Sequence, residues 1–179
     1  MDDKSLLRHC AEVIEQIEIT APYDANAVCD ALERIRQREI SLVPMAMPTR
    51  PGSPCGLWVA TDEVDYILYQ SNTSKAHRAH IVRHEAGHML LGHTSTQANR
   101  DEVAQLLMPT LSPDLVRTVL GRTIYTSAEE RAAEMVASLL PLHARKTAEQ
   151  ARRNRALSPA EENLVRHLER SLERNSGGM

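Results

Sequence analysis

The sequence predicts an α+β fold in which a small antiparallel sheet packs on one central helix, with additional helices at both ends. Two short β-rich runs, 56–60 and 64–69, flank a turn-prone stretch and precede a helix expected at 77–91. Apolar residues recur at helical spacing on either side of this centre. The 179 residues, 42% of them hydrophobic and 25% charged, are enough to bury a sizeable core and are typical of a soluble globular protein.

The first forty residues are predicted to form two helices, one at 5–19 and one from the candidate N-cap Asp24 to about residue 38. Residues 40–47 read as a strand that Pro44 breaks, and 48–54 must be a loop. We therefore assign 1–39 to N-terminal helical support.

The later helices are predicted from caps and helix breakers. Ser127 stands three residues before Glu130, the spacing of a capping box, and Pro141 is expected to end or kink the helix that follows. Residues 40–145 are assigned to the domain that carries the candidate site, and 146–179 to a C-terminal helical extension with a disordered tail. Besides the helix at 77–91, which Gly92 ends, helices are expected at 101–108, 113–120, 127–140 and 158–174.

Charge and composition exclude several classes of function. A net charge of −3, a pI near 6.2 and the absence of phenylalanine argue against a dedicated nucleic-acid surface. The N-terminus lacks the pattern of a signal peptide and no apolar run approaches membrane-spanning length, so a cytoplasmic location is expected. Three widely spaced cysteines suit neither a disulfide framework nor a thiolate zinc site, and Cys55 is the one expected to be exposed.

The most informative pattern is His84-Glu85-Ala86-Gly87-His88, which matches H-E-x-x-H. The two histidines lie one helical turn apart, so both imidazoles can reach one metal ion. Glu85 would flank the ion and take a proton from a water whose pKa zinc lowers to roughly 7. The pattern predicts zinc-dependent amide hydrolysis with Glu85 as general acid and base. The alternative is an ordinary amphipathic helix with two histidines.

A catalytic zinc usually has three protein ligands, so a third must come from elsewhere in the chain. On an ideal helix His93 points nearly opposite His84, which favours a capping or supporting role for it. His77 and His80 share the helical face of His84 and His88, but three ligands on consecutive turns of one straight helix cannot surround an ion tetrahedrally. The candidates are His77, His80, His93, His143 and the acidic residues of the helix that starts near Ser127.

Glu130 is favoured as the third ligand. It shares a helical face with Ala133, Glu134 and Ala137, and these small alanines would let the helix pack close to the one that carries the histidines. A carboxylate on such a face must be paired or bound to metal. The alternative for Glu130 is the capping-box role opposite Ser127.

Together these residues resemble the ImmA/IrrE-type metallopeptidases, a gluzincin-like family. The family signature H-E-x-G-H-x-x-L-G-H is matched at 84–93, and E-x-x-A-[N/D/E]-x-F-A at 130–137, with Val136 in place of phenylalanine. The resemblance covers roughly 40–142, although the interval between the motifs is longer than expected.

What the resemblance implies is a minimal zincin-like fold with a zinc site. Members typically cleave XRE-type helix-turn-helix repressors, so the implied partner is such a repressor, whose cleavage would derepress stress or mobile-element genes. The chain is expected to hold no DNA-binding module of its own, because the second helix of the one candidate segment, 112–137, is acidic. The implied roles are zinc ligation by His84, His88 and Glu130, acid–base catalysis by Glu85, and orientation of a ligand histidine by Glu134.

Two other functions remain open at this point. One is a non-catalytic zincin-like module that sequesters a transcription factor, and the other is a toxin-like component of a mobile element. The intact Glu85 favours the enzyme. The sequence does not choose between the candidates for the group that stabilises the transition state, which are Tyr66, Tyr69, Tyr125, His77, His80 and His93.

Overall fold

The computed structural model describes residues 2–19, 24–47, 54–61, 63–93, 96–97, 125–155 and 159–176. The α+β class is confirmed. The helices expected at 101–108 and 113–120, most of the loop at 48–54 and the end of the tail lie outside the described residues. The elements in chain order are α1 (Asp3–Glu15), α2 (Ala25–Arg36), β1 (Glu39–Met45), β2 (Gly56–Ala60), β3 (Val64–Gln70), α3 (Lys75–Leu90), β4 (Thr96–Gln97), α4 (Ser127–Asn154) and α5 (Pro159–Ser176).

The sheet is mixed, with strand order β1-β3-β2-β4. The predicted antiparallel pair is confirmed, with Gly56 opposite Tyr69 and Ala60 opposite Asp65. β1 runs parallel to β3, however, and β4 runs parallel to β2. The prediction of an antiparallel sheet is therefore wrong for these two pairs. The β2–β3 hairpin reverses the chain, so β3 inserts beside β1 in the same direction, which the pattern within each strand does not encode.

Pro44 does not break β1, contrary to expectation. The strand continues to Met45, and Pro44 lies opposite Tyr69 in the register with β3. Within the described residues β1 is an edge strand, so a missing N–H on its outer side removes no ladder hydrogen bond. An edge position is what lets proline remain in the strand.

The site helix α3 begins two residues before the predicted start and ends just before Gly92, as its sequence predicts. Ser74 caps it by accepting a hydrogen bond from the main-chain N–H of His77. Gly92 follows the last turn with φ of +68°, a left-handed conformation that favours glycine. The helix contacts α2, β2 and β3. Its buried apolar side chains are Ile81, Val82, Ala86 and Met89.

α4 runs through Pro141 to Asn154, so the proline does not end the helix. Its first half is buried through small and apolar side chains, including Val136, which is fully buried. The chain divides into two compact units at 1–145 and 146–179, and α1 and α2 belong to the first unit together with the sheet. Of the helices in the described ranges, none combines the length and apolarity needed to cross a bilayer.

Candidate metal centre

His84 and His88 face each other one turn apart on α3. Their Nε2 atoms are 3.1 Å apart and their rings meet edge to face. His88 is fully buried, whereas the side chain of His84 is 20% exposed. Burial, followed by the neighbouring His84 and His93, lowers the pKa of His88 to about 3. His88 therefore stays neutral at physiological pH, which is the form that binds metal.

Glu130 of α4 reaches the two histidines. Its Oε2 lies 3.2 Å from Nε2 of His84 and 4.0 Å from Nε2 of His88. An ion held tetrahedrally at about 2.1 Å from each ligand atom would separate those atoms by about 3.4 Å. The observed separations bracket that value, and among the described residues this is the group that could hold a metal ion.

The close approach of α4 to α3 depends on Gly87. A Cβ atom at this position would lie 2.8 Å from the carbonyl oxygen of Ala133 and 3.1 Å from its Cα. Main chain therefore packs against main chain, and the carboxylates of α4 come within reach of α3. Sequence reasoning used the alanine and missed the glycine, although glycine inside a helix is less favourable than alanine by about 1 kcal/mol and calls for a packing reason.

The capping box of α4 is formed by different residues from those predicted. Thr126 donates to Glu129 Oε2 through its main-chain N–H and its hydroxyl, at 2.7 and 2.8 Å. The N–H of Glu129 donates back to the Thr126 hydroxyl at 3.2 Å. These hydrogen bonds lower the pKa of Glu129. The box predicted between Ser127 and Glu130 is wrong, so the capping alternative for Glu130 no longer applies.

The outer nitrogens of both ligand histidines also have neighbours. Nδ1 of His84 is 3.4 Å from Glu134 Oε2, which in turn hydrogen-bonds His80 Nε2 at 3.1 Å. Nδ1 of His88 is 2.8 Å from Nδ1 of His93. Such contacts fix the orientation of a metal-binding imidazole. His93 lies outside the ligand group and supports His88, in line with the interpretation of its position on the helix.

Glu85 lies beside the ligand group and is only 5% exposed. The main-chain N–H of Trp58 donates a hydrogen bond to its carboxylate. Burial and then Glu130 raise the pKa of Glu85 to about 8, against the lowering effect of that hydrogen bond. A Cβ at Gly56 would lie 2.6 Å from Glu85 Oε1, so the carboxylate packs directly on β2. Nothing in the sequence pattern had linked Gly56 or Trp58 to Glu85.

A cleft of about 570 Å³ opens over these groups. His77 and His80 lie on its wall, while His143 does not line it. Cys55 lines the cleft and is exposed, whereas the other two cysteines are buried, as predicted. The lining residues are Pro54, Cys55, Gly56, Leu57, His77, His80, Ile81, His84, Glu85, His88, Tyr125, Glu130 and Glu134.

Tyr125 is the aromatic residue of the cleft. Its ring stacks on His88 with centroids 3.6 Å apart and planes 17° from parallel. Burial, then Glu85 and Glu130, raise the pKa of Tyr125 above its usual value, so the phenol keeps its proton at neutral pH. The hydroxyl is buried and has no hydrogen-bond partner within the described part of the chain.

Comparison with known proteins adds no further evidence. Searches against protein-family models, curated proteins and solved structures find no match to this chain. The conclusion at this site therefore rests on its geometry: His84, His88 and Glu130 form a group that could hold a metal ion, with Glu85 buried beside it.

Proposed function

We propose that this chain is a zinc-dependent endopeptidase. The observation that carries the proposal is the convergence of His84, His88 and Glu130 from two helices, with the Glu85 carboxylate against the same cleft. Two imidazoles and one carboxylate are a donor set of catalytic zinc, which leaves one position open. The cysteines take no part in the group, so a closed thiolate site is not the proposal.

The roles follow from the positions of the side chains. Zinc, when bound, would polarise the scissile carbonyl and acidify a water molecule. Glu85 accepts a proton from the attacking water and delivers it to the amide nitrogen as the bond to carbon breaks.

The wall of the cleft supports an extended peptide as substrate. Gly56 and Leu57 at the start of β2 line it. β4 pairs only with Val59 and Ala60, so in the described ranges the start of β2 pairs with β3 alone. A strand with one such edge can bind an extended peptide through main-chain hydrogen bonds. This favours a polypeptide over a small amide.

The identity of the polypeptide is the part of the proposal that rests on the resemblance to ImmA/IrrE-type peptidases. We propose an XRE-type helix-turn-helix repressor in the cytoplasm, cleaved to derepress stress or mobile-element genes. Support for it comes from the motifs at 84–93 and 130–137. The chain would act on the repressor without binding nucleic acid itself. Sequestration of the repressor without cleavage is the competing function.

The test has two steps. Metal analysis of the purified chain should find about one zinc ion, and the His84→Ala, His88→Ala double variant should lose it. Glu85→Gln should then keep the zinc and the fold but abolish cleavage of unfolded β-casein and of a repressor encoded by a neighbouring gene. Equal zinc in the double variant would refute the metal site. Equal relief of repression by wild type and Glu85→Gln in cells would instead favour sequestration.

A further inference from the structure

The start of α4 places Tyr125 next to the ligand group. Thr126 and Glu129 form the capping box, so Tyr125 is the residue immediately before the N-cap. Its ring stacks on His88 and lines the cleft. The stacking contact therefore holds the phenol at the cleft.

The buried hydroxyl of Tyr125 requires a hydrogen-bond partner. Leaving a buried hydroxyl without a partner costs about 1–3 kcal/mol, so such groups are rare in folded proteins. In the described residues two buried side-chain atoms are in this state, the Tyr125 hydroxyl and Arg78 Nε, and Tyr125 is the one that lines the cleft.

Most of the other donors considered for the cleft are engaged or distant. His93 contacts His88 through Nδ1, and His80 contacts Glu134 through Nε2. His77 stacks on His80 at the exposed rim. Tyr66 and Tyr69 lie on β3 and do not line the cleft.

We propose that the Tyr125 hydroxyl donates a hydrogen bond to the carbonyl oxygen of the scissile peptide as negative charge develops on it. This inference rests on the proposed peptidase function. As the water oxygen bonds to the carbonyl carbon, the carbonyl electron pair moves onto its oxygen and Glu85 takes one water proton. The carbon–nitrogen bond then breaks, the carbonyl re-forms, and the Glu85 proton passes to the leaving amine. Tyr125 keeps its proton throughout.

The test is Tyr125→Phe, which retains the ring that stacks on His88 and removes only the hydroxyl. With unfolded β-casein as substrate, kcat should fall about 10²–10³-fold, the usual effect of removing one such donor. KM should stay within about threefold, because the contact strengthens only in the transition state. Zinc content should equal that of the wild type, and the melting temperature should not fall, because the variant removes a buried hydroxyl that has no partner in the described part of the chain. Tyr69→Phe, which removes a phenol outside the cleft, is the matched control and should leave kcat unchanged.

A binding measurement provides a second readout that does not depend on turnover. The affinity for N-phosphoryl-leucinamide, a tetrahedral anion, should fall about 10–100-fold in Tyr125→Phe, a part of the roughly 10²–10⁸-fold by which transition-state analogues bind more tightly than substrates. The affinity for β-casein, measured in the Glu85→Gln background, should change less than about threefold. Wild-type kcat in Tyr125→Phe, a loss confined to KM, or loss of zinc would each overturn the inference. A wild-type chain that lacks zinc or cleaves nothing would overturn the proposed function instead.

Discussion

Two polar clusters of the molecule are built in opposite ways. In the first, the carboxylate of Asp65 is fully buried and accepts hydrogen bonds from Arg36 at 2.9 Å and from Trp58 Nε1 at 3.1 Å. Arg38 lies 3.8 Å away, and the Arg36 guanidinium covers the Trp58 ring. Donors surround the acceptor, so the charge is compensated within the chain.

In the second cluster, atoms that can bind a cation converge. Nε2 of His84, Nε2 of His88 and a carboxylate oxygen of Glu130 lie within 4.0 Å of one another, and each of these atoms can present a lone pair. A proton or a cation between its members stabilises such a group. The comparison teaches that matched donors and acceptors stabilise the fold, whereas converging acceptor atoms form a group that could hold a metal ion.

Trp58 connects the first cluster to Glu85, which lies beside the second. Its indole N–H binds Asp65, and its main-chain N–H binds Glu85. The Asp65 cluster therefore holds the strand against which the Glu85 carboxylate packs.

The largest expected effect is loss of metal from Glu130→Ala, which removes a converging acceptor. Most of the bound zinc should be lost. Glu134→Ala, which removes the contact to His84 Nδ1, should weaken zinc affinity about 10–100-fold. Glu129→Ala should lower stability by about 1 kcal/mol through the lost capping box and leave zinc content unchanged. Metal analysis and thermal unfolding of the three variants measure this. Zinc retained in Glu130→Ala but lost in either neighbour would reassign the ligand.

Arg36→Met tests the compensated cluster. Removing the main donor leaves Asp65 buried beside the more distant Arg38, so the free energy of unfolding should fall by about 3–5 kcal/mol. The zinc stoichiometry of the folded protein should not change. Urea unfolding and metal analysis provide the two readouts. Arg34→Met is the control, because Arg34 makes an exposed contact to the carbonyl of Glu18 and should cost less than about 0.5 kcal/mol. An equal loss in both variants would contradict the comparison.

The pH dependence of the stability of the metal-free protein follows from two buried groups, Glu85 and His88. Glu85 titrates near 4.5 when unfolded and near 8 when folded, so the folded state holds an extra proton and stability falls as pH rises through that interval. His88 titrates near 6.5 unfolded and near 3 folded, so stability also falls as pH drops from 6.5 toward 3.

Glu85→Gln should therefore stabilise the metal-free protein on the order of a few kcal/mol at pH 8 and far less at pH 5. Urea unfolding with a chelator present, at both pH values, measures the difference between variant and wild type. A difference that stays constant between the two pH values would show that Glu85 is not buried as described.

The smallest expected effect separates two glycines of the same motif. Gly87→Ala should push α4 from α3, destabilising the protein by about 1–3 kcal/mol and weakening zinc binding. At Gly92 an added Cβ meets no atom within 4 Å, but φ of +68° strains alanine by about 1 kcal/mol. Gly92→Ala should thus lose stability while keeping zinc affinity. Zinc titrations and thermal unfolding of both variants measure the contrast, and equal zinc affinity in the two would show that Gly87 does not set the helix spacing.

Local geometry could be predicted from the sequence. His84 and His88 share a face because the backbone places every fourth residue there in any α-helix. The Asp24 cap was recognisable because a cap is a contact between residues three positions apart. The β2–β3 hairpin followed from two short strands and a turn. Each of these features depends on neighbours within a few residues, whose arrangement varies little from one fold to another.

Other features were decided only by the tertiary structure. The direction of β1, the approach of α4 allowed by Gly87 against Ala133, and the support of Glu85 by Trp58 each join residues far apart in the chain. The capping box also lies one residue earlier than predicted, at Thr126 and Glu129. Residues 126–129 and 127–130 offer the same spacing in the sequence. Only the position at which α4 begins distinguishes them. Packing between distant segments sets that position, since the local free-energy difference between two adjacent caps is too small to do so.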